Sequence, residues 1–290
     1  MYVLEKSIIP MPKHMENKNG RVKLASMLES GFQILKDSNE PLVNEGAKWI
    51  ECDVWKKVCV RPTDSGYKII IKVDPSDERL SDVTSDEGYY IDVTDESATL
   101  CGKSEKGAFY AAVTLKRMLY TEGGELYIHK AYIKDYPDFE MRGHSVECRY
   151  GTDLMEKEEW LDFIDYCADI KCNQIHVKAY NCWGVQYDDE PVEYLQLPLK
   201  CYPELKTLKN KKYYSVKNGS WRFEKDLIPP MARDDFYGEL VTYGKKRNIT
   251  VCPGLASYGH NTLLPRMMPE IAPVMADGSR GKSGRSVLWP

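Results

Sequence analysis

The stretch Asp135-Tyr136-Pro137-Asp138-Phe139 most constrains what this chain can fold into, because the hydrophobic pattern differs on its two sides. A proline in a polar turn breaks the element that precedes it. Before this break, strand-like runs are crowded together with helical pieces among them. After it, strand and helix alternate. The first pattern predicts a small α+β domain, and the second predicts parallel strands joined by crossover helices. A domain usually holds about 100–200 residues, so a chain of 290 accommodates two. The expected division is 1–135 and 136–290.

In the first part, Tyr67–Val73 and Gly88–Val93 are β-branched and aromatic-rich runs between turn residues, so both read as strands. Ala98–Cys101 is a short third. Ser104 stands where a cap belongs for a helix from about Glu105 to Tyr120. Its residues Phe109, Ala112, Val113, Leu115 and Leu119 have mostly helical spacing. Leu126–Ile128 reads as another strand, and Val22 to Val60 holds helical pieces without readable ends. In the second part, Met141–Cys148, Gln174–Tyr180 and Ile249–Cys252 read as strands. Glu156–Cys172 and Asp234–Arg247 read as helices. A polar, tyrosine-rich insertion runs from about Asn181 to Pro230. The order β-α-β-loop-α-β begins either a (β/α) barrel or a doubly wound sheet. A whole TIM-type barrel takes about 250 residues, and 155 follow Asp135. The expected class is therefore α/β: a small α+β domain, then an incomplete TIM-type barrel.

Charge narrows the function. Forty basic and 44 acidic residues give a formal net charge of -4, without the basic surplus that nucleic-acid binding asks for. The N-terminus lacks a basic segment followed by an apolar one, so no signal peptide is expected. No run of about 18 apolar residues points to a membrane span. The nine cysteines are odd in number and lack CxxC spacing, which argues against a disulfide framework and a zinc site. Reduced thiols in a cytoplasm are the expectation, with no cofactor or metal.

In a barrel, the site is built from loops at the C-terminal ends of the strands. The first predicted strand ends in Glu147-Cys148-Arg149-Tyr150. The second, which carries His176, runs into Asn181-Cys182-Trp183-Gly184. The third runs through Pro253 and Gly254 to His260. Arginine, amide, imidazole and aromatic rings suit a neutral sugar, since polar groups bond its hydroxyls and rings cover its C–H faces. Bland alternatives stand beside each. Arg149 could be ion-paired to Glu147, His176 could pack within the barrel, Trp183 could pack the insertion, and His260 could be a satisfied loop histidine. His144 reads as structural.

Five segments carry a family resemblance, in order along essentially the whole chain. Ile8-Ile9-Pro10-Met11-Pro12 resembles the opening of bacterial hexosaminidase N-terminal domains. Lys106-Gly107-Ala108-Phe109-Tyr110 through Leu115 is similar to their Gly-Ala-Phe-Tyr helix. Asp135 to Gly143 resembles the family's D-x-P-x-F-x-x-R-G entry into barrel strand one, and Lys171-Cys172-Asn173 to His176 its K-x-N-x-x-H passage. Ile249 to His260 resembles its third-strand segment. The resemblance is to family 20-type glycoside hydrolases, β-N-acetylhexosaminidase relatives. It implies a retaining exo-glycosidase acting on a carbohydrate with a terminal N-acetylhexosamine, whose own acetamido oxygen is the nucleophile. It also implies an Asp-Glu pair ending strand four, expected after Pro290, so no catalytic residue is expected within these 290. Alternatives are a barrel glycosidase of another sugar specificity and a carbohydrate-binding protein without catalysis.

The chain departs from the family pattern at identifiable places. Arg149 arrives one position early. Two carboxylates of the family's third-strand segment are replaced by Gly254 and Ala256, and its His-x-His becomes His176-Val177-Lys178. Three motifs mislead. Gly278 to Ser283 is too short for a phosphate loop, and Asp188-Asp189-Glu190 lacks further ligands at useful spacing. Asn218-Gly219-Ser220 and Asn248-Ile249-Thr250 are glycosylation sequons of little meaning without secretion.

Overall fold

The computed structural model describes residues 4–27, 29–146, 152–178, 180–185, 191–195, 209–215, 218–227, 230–254, 269–271 and 274–279. They fall into two units. The first is Met1–Arg142 joined by Tyr166–Asn173 and Lys246–Asn248, and the second is the remainder.

The first unit is built on a mixed sheet. Along the chain come α1 (Leu4–Ser7), β1 (His14–Ser26), β2 (Glu29–Ser30), β3 (Phe32–Lys36), α2 (Pro41–Val58), β4 (Tyr67–Val73), β5 (Tyr89–Val93), β6 (Ser97–Gly102), α3 (Glu105–Met118), β7 (Leu119–Glu122) and β8 (Glu125–Asp135). The spatial order is β2-β1-β8-β5-β6-β4-β3, with β7 also on β8. β3, β4 and β6 run parallel, and the other pairs are antiparallel.

Local chemistry explains most of these elements. The β-branched run of β4 buries Ile69 and Ile71, and β5 buries Tyr89, Tyr90, Ile91 and Val93. Ser104 caps α3 as its sequence predicts, accepting from the Lys106 backbone N–H. The spacing predicts one apolar face for α3, but residues Gly107 to Leu115 are all buried. The reason is that α2 packs along it as well as β4, β5 and β6. The two helices meet at small residues, where a Cβ on Gly46 would lie 3.0 Å from that of Ala112.

Two elements exceed the sequence reading. β1 is polar and interrupted, with Asn19 and Gly20 at positive φ where the ladder to β8 shifts register. Its residues carry no strand signal, and the long pairing with β8 holds them extended. β8 itself runs well past Ile128 to Asp135. Val22–Val60 resolves into the end of β1, then β2, β3 and α2. α2 has Pro41 in its first turn and closes at Cys59 in the left-handed region.

The second unit contains β9 (Gly143–Val146), α4 (Lys157–Asp169, its last turn counted with the first unit), β10 (Gln174–Lys178) and β11 (Tyr180–Val185). β12 (Pro191–Leu195), β13 (Lys209–Ser215), β14 (Ser220–Leu227), α5 (Pro230–Asp234), α6 (Tyr237–Lys245) and β15 (Thr250–Gly254) follow. β9, β10 and β15 form a parallel sheet in the order β15-β10-β9. The insertion is not plain loop: β11–β12 and β13–β14 are two antiparallel hairpins within it. The helix expected over Asp234–Arg247 is α6, starting three residues later and ending two earlier; the short α5 precedes it, and Asp235 between them takes a positive φ. No helix among the described residues is long and apolar enough to cross a membrane.

Candidate active-site rim

Register decides what the parallel sheet can present. Gly143, Gln174 and Thr250 stand level, as do Ser145, His176 and Cys252, and Lys178 ends β10 opposite Gly254. The three C-terminal ends therefore share one rim. Side chains alternate across the sheet. Ile175, Val177 and Val251 point to the buried side, with α6 packed on β15 there and the His144 ring 6.0 Å from Phe163. His144 is itself exposed. Ser145, His176, Cys252 and Lys178 line the opposite face, where His176 is exposed. Gln174 approaches the Cys252 Sγ at 3.6 Å on this face.

Among the residues expected at the rim, His176 thus lies on the face opposite Ile175 and Val177, and is exposed there. Asn181 and Trp183 fall in β11, which begins two positions after β10 ends; their side chains lie outside the described residues. Glu147, Arg149 and His260 also lie outside them, following the ends of β9 and β15 in the chain. One departure has a structural correlate. A Cβ at position 254 would sit 2.9 Å from the Lys178 Cδ, so the lysine stem occupies the space that a side chain there would need. Among the described residues, no three of His, Cys, Asp and Glu gather as a metal site.

Sequence reasoning missed a buried polar network in the first unit. Lys171 donates to Asp135 at 2.8 Å and to the Tyr89 hydroxyl at 2.6 Å; Tyr89 is also 2.6 Å from the Thr114 hydroxyl. Burial pulls the Lys171 ammonium below its ordinary range, and the Asp135 carboxylate opposes this. Next to it, Glu87 receives hydrogen bonds from Arg142, Asn173 and Asn248. A cleft of about 400 Å³ opens beside both groups, with Lys13, Tyr110 and Phe139 on its walls. The signal was present in part: Asp135 and Arg142 belong to D-x-P-x-F-x-x-R-G, and Lys171 and Asn173 to K-x-N. These motif residues bond to one another. The Asn248 sequon has a different use as well, since its amide donates to Glu87 and to Tyr110.

Comparison with known proteins points one way. Residues 5–136 match the model for glycosyl hydrolase family 20, domain 2. A β-hexosaminidase of Vibrio furnissii is 26% identical over 277 residues, which cover 91% of this chain and 39% of that protein. Another, from Akkermansia muciniphila, is 26% identical over 198 residues, 67% of this chain and 36% of its own length. The chain thus spans less than two fifths of these curated relatives. The β-N-acetylhexosaminidase of Streptomyces coelicolor A3(2) superposes with a TM-score of 0.70 at 18% identity, covering 99% of this chain and 54% of that one. An exo-β-N-acetylglucosaminidase of Vibrio harveyi, solved with N-acetylglucosamine, gives 0.67 at 17% identity, covering 99% and 42%. At such identity these structures speak for the fold, a mixed α/β one.

Proposed function

We propose, on the premise that this chain is a relative of the family 20 glycoside hydrolases, that it is the amino-terminal part of a retaining exo-β-N-acetylhexosaminidase. Residues 136–290 are then the first three β/α units of a catalytic barrel, after an α+β domain over 1–135. The observation that carries the reading is the level, parallel alignment of β9, β10 and β15. Three chain segments leave such a sheet at one rim, as a barrel site requires.

On this reading Arg149 donates a fork of hydrogen bonds to sugar hydroxyls away from the cleaved bond. Asn181, Glu147 and His260 complete the polar contacts, Trp183 covers a C–H face, and His176 lines the interior below. The substrate's acetamido oxygen attacks its own anomeric carbon while a protein acid protonates the leaving oxygen. That acid, with the aspartate that orients the acetamido group, is the Asp-Glu pair expected after Pro290.

In a protein carrying the complete site, Arg149→Ala should lower kcat/KM on an N-acetylglucosaminide by about 10²-fold, near 2.7 kcal/mol, the upper range for a charge-assisted hydrogen bond. Arg149→Lys should rescue little, because one ammonium does not reproduce the fork. Steady-state kinetics with melting temperatures decides it: unchanged kcat/KM with a lowered Tm makes Arg149 a structural ion-pair partner. A second reading, a barrel glycosidase of other sugar specificity, draws support from Lys178 lying against Gly254, where the resemblance leads one to expect a carboxylate. Comparing turnover of N-acetylglucosaminide, glucoside and galactoside chromogens separates the two.

A further inference from the structure

We propose that Glu87 is a positioning residue for this rim, a single carboxylate that fixes where all three parallel strands begin. The inference rests on the functional reading above for the rim's chemistry, but the clamp stands on its own geometry. Glu87 lies in the turn before β5 and is 7% exposed. Its Oε2 accepts from Arg142 Nη2 at 2.5 Å. Its Oε1 accepts from Asn173 Nδ2 at 3.2 Å and from Asn248 Nδ2 at 3.1 Å. Arg142 immediately precedes β9, Asn173 immediately precedes β10, and Asn248 stands two residues before β15. Each donor belongs to a different chain entry, and all three meet on one side chain.

The surroundings leave little freedom. Arg142 and Asn173 are tied to each other: the Arg142 backbone N–H donates to Asn173 Oδ1 at 2.9 Å, and the Asn173 N–H donates to the Arg142 carbonyl at 2.8 Å. The Arg142 guanidinium also reaches the Phe139 and Lys171 carbonyls. The Tyr110 hydroxyl lies 3.0 Å from Asn248 Nδ2. A buried carboxylate must keep its donors, because leaving it unpaired costs far more than the pairs contribute. A one-residue slip of any strand would draw its donor away and would also turn every side chain of that strand to the other face. Glu87 therefore selects the alignment of Gly143, Gln174 and Thr250, and through it the level of the rim.

The test is amide hydrogen exchange on the chain with Glu87→Gln. Exchange should rise at least about tenfold in residues 143–146, 174–178 and 250–254 together, the loss expected for one charge-assisted hydrogen bond. Residues 67–73 and 97–102 should keep their protection. A response confined to the turn around Glu87, to one strand, or spread evenly over the chain overturns the proposal. If Glu87→Gln does not fold, Asn248→Ala tests the third arm alone: 250–254 should loosen, and an unchanged 250–254 is fatal. In a protein carrying the complete site, Glu87→Gln should raise KM and lower kcat, whereas loss of folded fraction alone would lower kcat at constant KM. If the unsubstituted protein carrying the complete site does not turn over an N-acetylglucosaminide, the N-acetylhexosaminidase reading fails, and the exchange result still decides the clamp.

Discussion

Single side chains in this protein are settled by the partners that reach them. Asp77 is the clearest case in the first unit. It accepts from the Arg79 guanidinium and backbone N–H, from Lys72 and from the Tyr90 hydroxyl. The Arg79 hydrogen bonds, most of all, hold its carboxyl well below the usual carboxylate range. A depressed carboxylate contributes stability that is complete above its unfolded pKa of about 4 and is lost as the pH falls below it. Asp77→Asn should therefore cost about 1.5–3 kcal/mol at pH 7, the range for hydrogen bonds to charged groups. The gap between variant and unsubstituted protein should shrink steadily below about pH 4. Urea unfolding across that range tests both statements, and a gap independent of pH would contradict the assignment.

At the scale of elements, α3 explains why its motif contains a glycine. Ala is ordinarily the better helix former, by about 1 kcal/mol. At Gly107, however, a Cβ would lie 2.2 Å from the Gly88 carbonyl oxygen and 3.1 Å from the Gly102 Cα. Both neighbours are backbone, one in β6 and one in the turn before β5, and cannot rotate away. Gly107→Ala should thus destabilise the protein despite its propensity gain, by about 1–3 kcal/mol, the usual cost of overpacking; a raised denaturation midpoint would refute the close approach. The same α3 was legible locally because Ser104 caps it and its apolar spacing is helical. β4, β5 and β6 were legible because β-branched and aromatic residues stand between turn residues. β1 was not: its polar residues are extended by the pairing with β8, which local pattern does not record.

For the whole molecule, the contiguous boundary read from the sequence and the compact units differ in a way that predicts behaviour. Asp135 closes the first sequence segment, but Lys171, which neutralises it, comes from beyond the break. Glu45 likewise depends on Arg247 at 2.8 Å, and Glu87 on Asn173 and Asn248. Residues 1–142 alone would lose Lys171, Arg247, Asn173 and Asn248, keeping Arg142 on Glu87 and Lys48 on Glu45. Removing one partner of a buried pair costs about 3–5 kcal/mol. The isolated segment should accordingly melt well below the 290-residue chain, and equal melting temperatures would mean that the long-range pairs contribute nothing.

What the sequence determined by itself is what depends on near neighbours: the β-branched strands, the capped helix α3, the break at Asp135 to Phe139, and the order of five motifs that carried the family resemblance. Such features have short-range causes, so they can be read in windows of ten or fifteen residues. The candidate site was legible to the level of which strand ends to inspect. That β9, β10 and β15 lie level and parallel was decided by tertiary pairing. So was the convergence of Arg142, Asn173 and Asn248, far apart in the chain, on one carboxylate at Glu87. A buried charge selects its partners by distance in space, and spacing along the chain does not encode that distance.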